Sequence, residues 1–227
     1  MDIKRASLLT CGEATSTVVV IDVVRAFTTA AYAFAAGAQT IILAGAVEEA
    51  LALRQRFPDA WVMGEVGGLP VEGFDFSNSP TELAGQDLTG RRLIQRTSAG
   101  TQGVVRSNRA ETLLAASFAC AGATARYIID LQPESVTFVI TGLRPEGWGD
   151  EDAACADYIE ALLMGKQPDV QPFLQRVRQS LAGKIFADPG QPEFPVSDLD
   201  YCTDVDRFVF AMRVQRKDGL LVMEPTR

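Results

Sequence analysis

The sequence predicts an α/β fold: three α/β/α layers around a mostly parallel central sheet, followed by a helical C-terminal part. Three observations point there. Short runs rich in Val, Ile and Leu alternate with segments of helical period as far as residue 142. Those runs are apolar without interruption, which suits strands covered on both faces. The chain is 47% hydrophobic over 227 residues, enough for one substantial core, so it reads as a single α/β domain over 1–227. Within it, a βα core over 1–145 is separable from a mainly helical part over 146–227 that ends in an edge strand.

Taken in order, "TVVVIDV" (17–23) is the first strand, and the helix after it, from "RAFTTAAYAFAAG", stops at Gly37 as a C′ residue. "TIILAG" (40–45) is a second strand, "VEEALALRQRF" a helix closed by Pro58, and "AWVMGE" (60–65) a third strand. This is a βαβαβ signature. Residues 66–90 break the rhythm with Gly, Pro, Asn and Ser, and a loop of that length inside a compact domain is expected to carry function. The alternation resumes with "RRLIQRTS", "ETLLAAS", a helix from Cys120 to Leu131, and the strand "SVTFVITG" (135–142). Helical spacing follows at 151–165, 170–183 and 199–214, with "DPGQPEFP" (188–195) as a loop and "GLLVMEP" as the final edge strand.

A net charge of −8 argues against a nucleic-acid partner, because phosphate-backbone affinity depends on clustered Lys and Arg. No apolar run approaches the roughly 20 residues that span a bilayer, and the N-terminus has no charged-then-apolar leader, so a cytoplasmic location with no membrane partner is expected. Cys11, Cys120, Cys155 and Cys202 are scattered without a C-x-x-C pair and are expected to be free buried thiols. The chain has no histidine. That removes Ser-His-Asp hydrolysis, phosphohistidine chemistry and the usual His-bound zinc and iron sites, and leaves acid–base work to carboxylates, Lys, Tyr, Cys or metal-bound water.

In doubly wound sheets ligands sit beyond the carboxyl ends of the strands. There the sequence sets Asp22 and Arg25, then Glu65 with Gly67 and Gly68, then Thr97, Ser98, Gly100 and Thr101, then Gly142 and Arg144. A carboxylate and a guanidinium in the apolar setting of "VVVIDVVRAFTT" need partners, solvent or a ligand. Asp22 invites comparison with aspartyl-nucleophile phosphatases, but the second acid those need two residues on is Val24 here; capping the following helix is the structural alternative. In "GFDFSNSP", Asp75, Asn78 and Ser79 precede Pro80, with Ser79 a natural N-cap. "RTSAGTQG" offers hydroxyls and backbone N–H groups for an anion but lacks the Gly-Lys-Ser/Thr of a P-loop. Glu151 and Asp152 open a helix, where acids complement the dipole. With Asp22 and Glu65 they also suit an oxygen-only site for a hard cation such as Mg²⁺.

"VVIDVVRAFTT", "GEVGGLPVEGFDFSNSP", "RTSAGTQG" and "EDAACADY", in this order, resemble the 2-phosphosulfolactate phosphatase family, from about Thr17 through Tyr158. The resemblance implies an Mg²⁺-dependent phosphatase that hydrolyses 2-phospho-3-sulfolactate to sulfolactate and phosphate, a step toward coenzyme M. It assigns catalysis to Asp22, Arg25 and Glu65, substrate binding to Asn78, Ser79, Thr97, Ser98, Gly100 and Thr101, and metal binding to carboxylates drawn from Asp22, Glu65, Asp75, Glu151 and Asp152. The chain departs from the family pattern at Val66, where members often carry Arg, and at "TSAGTQ" in place of a T-N-G-T-R-like turn. Those departures keep open two alternatives: a phosphatase of another substrate, and a non-catalytic binder of an anionic phosphorylated metabolite. The apolar stretch "VDRFVFAMRV" raises the further expectation of a homodimer, against the alternative that it covers the sheet.

Overall fold

A computed structural model describes residues 1–144, 147–188 and 190–226. The chain runs through β1 (Asp2–Ser7), β2 (Thr17–Ile21), α1 (Ala26–Ala35), β3 (Thr40–Ala44), α2 (Val47–Arg56), β4 (Trp61–Gly64), α3 (Pro80–Leu83), β5 (Arg92–Arg96) and α4 (Gly100–Arg106). It continues through β6 (Thr112–Ala116), α5 (Ala121–Leu131), β7 (Ser135–Ile140), α6 (Asp150–Leu163), α7 (Gln171–Gln179), α8 (Leu181–Phe186), α9 (Val196–Cys202), β8 (Ala211–Lys217) and β9 (Leu220–Thr226).

The strands form one sheet in the order β1-β7-β2-β6-β8-β9-β3-β5-β4. Two parallel blocks, β1-β7-β2-β6 and β3-β5-β4, are joined by the antiparallel β8–β9 hairpin. Strand alternation sorts side chains onto two faces. On one face Val18, Val20, Leu113, Met212, Met223, Ile41 and Leu93 pack with Phe27, Ala30 and Phe34 of α1 and Val104 of α4. On the other, Val19, Ile21, Leu114 and Phe138 meet α5 and α6, while Ile42, Val62 and Ile94 meet Ala50 and Leu53 of α2. Helix α4 touches both β2 and β3, which stand four places apart in the sheet, so the sheet curls around α1 and α4. That curl brings the carboxyl ends of β2 and β5 to one place.

Three expectations need correction. The helix expected over 199–214 is α9 followed, after a turn, by β8, an interior strand. In "AMRVQRK", Met212 and Val214 enter the core while Arg213 and Gln215 do not, a period of two that the preceding Phe208 and Phe210 obscured. The final strand is not at an edge: β9 lies between β8 and β3. The helix expected over 170–183 breaks at Ser180, whose extended backbone and hydroxyl, accepting from the Gly183 N–H at 2.9 Å, start α8. Edge strand β1 was not foreseen; its Lys4 and Arg5 keep that edge polar. Pro189, within the 188–195 loop, lies outside the described residues. No described helix is long and apolar enough to cross a membrane.

Candidate active site

Asp22 directly follows β2, and its Oδ1 accepts the N–H of Ala26 at 3.0 Å, capping the start of α1. Its other oxygen faces Gly100, where a Cβ would stand 2.9 Å from Asp22 Oδ2 and 2.7 Å from Ala26 Cβ. Only a residue without a side chain lets α4 begin this close to the acid.

Glu65 follows β4 across Gly64, whose φ of +144° and close backbone approach exclude any side chain: a Cβ there would lie 1.8 Å from the Arg96 carbonyl oxygen. The Glu65 carboxylate is held by three donors, the Gly68 N–H at 2.6 Å, the Ser98 hydroxyl at 2.9 Å and the Ser98 N–H. Asp152 is held as tightly. It accepts from the Val23 N–H at 2.8 Å, the Gly142 N–H at 2.8 Å and the Thr141 hydroxyl at 3.1 Å, tying the ends of β2 and β7 together. Glu151, one residue earlier on α6, has an Oε2 that is buried and without a partner.

These four carboxylates line one cavity of about 230 Å³ together with Arg25, Asn78, Ser98, Gly142 and Arg144. Ala182, Ile185 and Phe186 of α8, with Phe194, supply an apolar wall. None of the four acids is more than 6% exposed, so their charges are poorly hydrated and act on one another. Burial pushes the Asp22 carboxyl up to about 7, reinforced by Glu65 and Glu151 and opposed by the Ala26 N–H. Burial raises Glu151 as well, with Asp150 adding to it. Asp152 is pushed up by burial and then by Glu151 and Asp22, against the pull of the Val23 and Gly142 N–H groups.

Such a cluster is relieved by protons or by a cation. Buried carboxylate oxygens are the donors a hard divalent ion takes, and the unpartnered Oε2 of Glu151 is an atom awaiting a positive partner. Among the described residues no three acidic side chains already close around one point as a complete ligand set. An ion here would therefore take one or two carboxylates and keep waters, as Mg²⁺ commonly does.

Arg25 also lines the cavity, but it is anchored from behind. Its guanidinium donates to Asp198 Oδ2 at 2.8 Å and to the Gly68 carbonyl at 3.0 Å, and lies 4.9 Å and 5.4 Å from the ring centres of Phe186 and Phe194. Asp198 is fully buried and also accepts from the Ser79 hydroxyl at 2.7 Å and the Thr81 N–H at 3.0 Å.

Asp22, Arg25, Glu65, Asn78, Ser98, Glu151 and Asp152 thus share the cavity, and Gly100 abuts it through Asp22. Thr97 and Thr101 do not line it. Each N–H donates to the other's hydroxyl, at 2.8 Å and 3.0 Å, so the pair closes the turn that holds Ser98. Ser79 serves as N-cap of α3 and partner of Asp198. Asp75 lies outside the cavity: its loop runs back along β4, where its carboxylate accepts the Val62 N–H at 2.7 Å and pairs with Arg54. Asp198, Trp148 and the aromatic wall were not singled out from the sequence. The signal for Asp198 was present: on α9 it shares a face with Cys202, four residues on, and an acid on the apolar face of a helix demands a partner.

The sequence profile of the 2-phosphosulpholactate phosphatase family matches residues 4–217. A protein of Bacillus subtilis strain 168 named as a probable 2-phosphosulfolactate phosphatase is 37% identical over 202 residues, 88% of this chain and 87% of its own length. One of the same name from Carboxydothermus hydrogenoformans is 33% identical over 228 residues, covering 92% and 91%. Another, from a Cyanothece species, is 30% identical over 227 residues, covering 90% and 91%. With its strand-end acids gathered into one cavity and the profile matched across nearly its whole length, the chain belongs to the 2-phosphosulfolactate phosphatase family.

Proposed function

We propose that the cavity hydrolyses the phosphate monoester of a small acidic 2-hydroxy acid, 2-phospho-3-sulfolactate, to sulfolactate and phosphate. The substrate follows the names of the relatives, and one observation carries the chemistry: four buried carboxylates, one with an unpartnered oxygen, meet at the rim of the sheet. Asp22 and Glu151 retain free oxygens and would hold Mg²⁺, whereas both oxygens of Glu65 and of Asp152 are already engaged in positioning loops. When bound, the ion supplies positive charge against the phosphate oxygens.

The remaining work belongs to side chains. Arg25, fixed by Asp198 and flanked by Phe186 and Phe194, sets a guanidinium at the cavity without having to order it on binding. Asn78, with an unpartnered Oδ1, is a polar contact for the substrate. Carboxylates of the cavity are the side chains to take the proton given up by the attacking water, and burial raises Asp22, Glu151 and Asp152 above the ordinary carboxylate range. The apolar wall lowers the local dielectric, which strengthens each of these contacts.

The test is phosphate release by the purified chain from 2-phospho-3-sulfolactate and a panel of 2-phospho-carboxylates with added Mg²⁺. Release that stops in excess EDTA is expected. Binding of the esters without turnover of any of them overturns the proposal in favour of a non-catalytic binder.

A further inference from the structure

Among the described residues, two cations line the cavity, and they are not equivalent. Arg25 is already neutralised by Asp198 at 2.8 Å. Arg144, on the loop after β7, has no carboxylate within ion-pair distance among the described residues, and its side chain is exposed to solvent. It is nevertheless held in place: Arg144 and Trp148 pair as an antiparallel bridge, the Gly147 N–H donates to the Arg144 carbonyl at 3.3 Å, and the guanidinium lies 5.9 Å from the Trp148 ring centre.

We propose that Arg144 is the specificity-determining residue that grips the acidic group of the substrate remote from the phosphate, its carboxylate or sulfonate. This rests on the phosphatase reading above. The acids Asp22, Glu65, Glu151 and Asp152 repel an unshielded anion, and Ile185, Phe186 and Phe194 offer an acid no side-chain donor. Of the two cavity cations Arg25 is already paired with Asp198, so a second anionic group is drawn to Arg144. A planar guanidinium presents paired N–H donors that match the paired oxygens of a carboxylate or sulfonate.

The experiment compares the chain with its Arg144→Gln and Arg144→Lys variants on two esters: 2-phospho-3-sulfolactate, and 4-nitrophenyl phosphate, which has no second acid. Arg144→Gln is expected to raise KM for the acidic ester about 10- to 100-fold, the loss of one charge-assisted contact, with kcat nearly unchanged and KM for the aryl ester unmoved. Arg144→Lys is expected to recover part of the loss. Equal losses on both esters, or an unchanged KM for the acidic one, overturn the assignment. Should the unsubstituted chain hydrolyse neither ester, the phosphatase reading fails by itself. Titration calorimetry with 2-phospho-3-sulfolactate then decides on Arg144: a drop in affinity of about ten-fold or more in Arg144→Gln supports it, and unchanged binding or no binding by the unsubstituted chain overturns it.

Discussion

Replacing Asp198 by Ala isolates the support behind the cavity. In the folded chain Asp198 is fully buried and Arg25 only 3% exposed at its side chain, so neither can turn to water when its partner is lost. The substitution strands the Arg25 charge and withdraws the acceptor of the Ser79 hydroxyl and the Thr81 N–H. Breaking a buried pair from one side costs about 3–5 kcal/mol. For a domain of this size each kcal/mol shifts Tm by about 2–4 °C, so a fall of about 6–20 °C is expected. The assay is thermal unfolding at pH 7.5, paired with urea titration to check that the slope is unchanged. Arg25→Met combined with Asp198→Leu removes both charges and is expected to regain a large part of the stability while abolishing turnover. A fall below about 2 °C for Asp198→Ala, or a double variant no more stable than the single one, would refute the reasoning that this pair is buried and mutually dependent.

Four further outcomes follow from the cavity. The folded-state carboxyl of Asp22 titrates near 7 rather than its ordinary 3.8, so the folded chain holds a proton that the unfolded chain has released. Its contribution to stability is full below the lower value and is lost as pH rises through the upper; Asp22→Asn should flatten that decline in urea titrations at pH 5 and pH 8, and an unchanged slope would exclude Asp22 as its source. Asp22→Asn should also abolish phosphate release while leaving the circular dichroism spectrum intact, and wild-type rates would remove it from the mechanism. Because a cation and a proton compete for the same oxygens, Mg²⁺ should raise Tm more at pH 8 than at pH 5, and a thermal shift independent of pH would count against the carboxylate site. Finally, Gly100→Ala sets a methyl within 2.7 Å of Ala26 and 2.9 Å of Asp22; where helix propensity alone predicts a gain, a loss of about 1–3 kcal/mol and a lower kcat are expected, read by urea titration and steady-state kinetics.

The order of strands from β2 through β7 was legible because most of them are short apolar runs of parallel strands covered on both sides, as the five buried residues of β2 illustrate. Asp22, Glu65, Glu151 and Asp152 were legible for a related reason: they follow strand ends or open a helix beside one, and α/β sheets gather such positions. What the sequence hid was relations between distant segments. Asp75 looks like Asp22 by type, yet its loop doubles back on β4 and spends the carboxylate on Arg54. Nothing local to Thr97 announces that its hydroxyl is already committed to Thr101. The placement of β8 and β9 depended on pairing with β6 and β3, partners separated from them by about a hundred residues or more and invisible to any local period.

The β8–β9 hairpin has a consequence for how the protein comes into being. Asp22 belongs to one parallel block, Glu65 and Ser98 to the other, and the ribosome makes the connecting ribbon only after every one of these residues has emerged. During synthesis the two blocks can collapse separately, but each keeps an open sheet margin of unpaired N–H and C=O groups until the ribbon slots between them. From the making of Ser98 until the ribbon is in place, the nascent chain therefore carries these cavity residues apart from one another, with two sheet borders open to unwanted pairing.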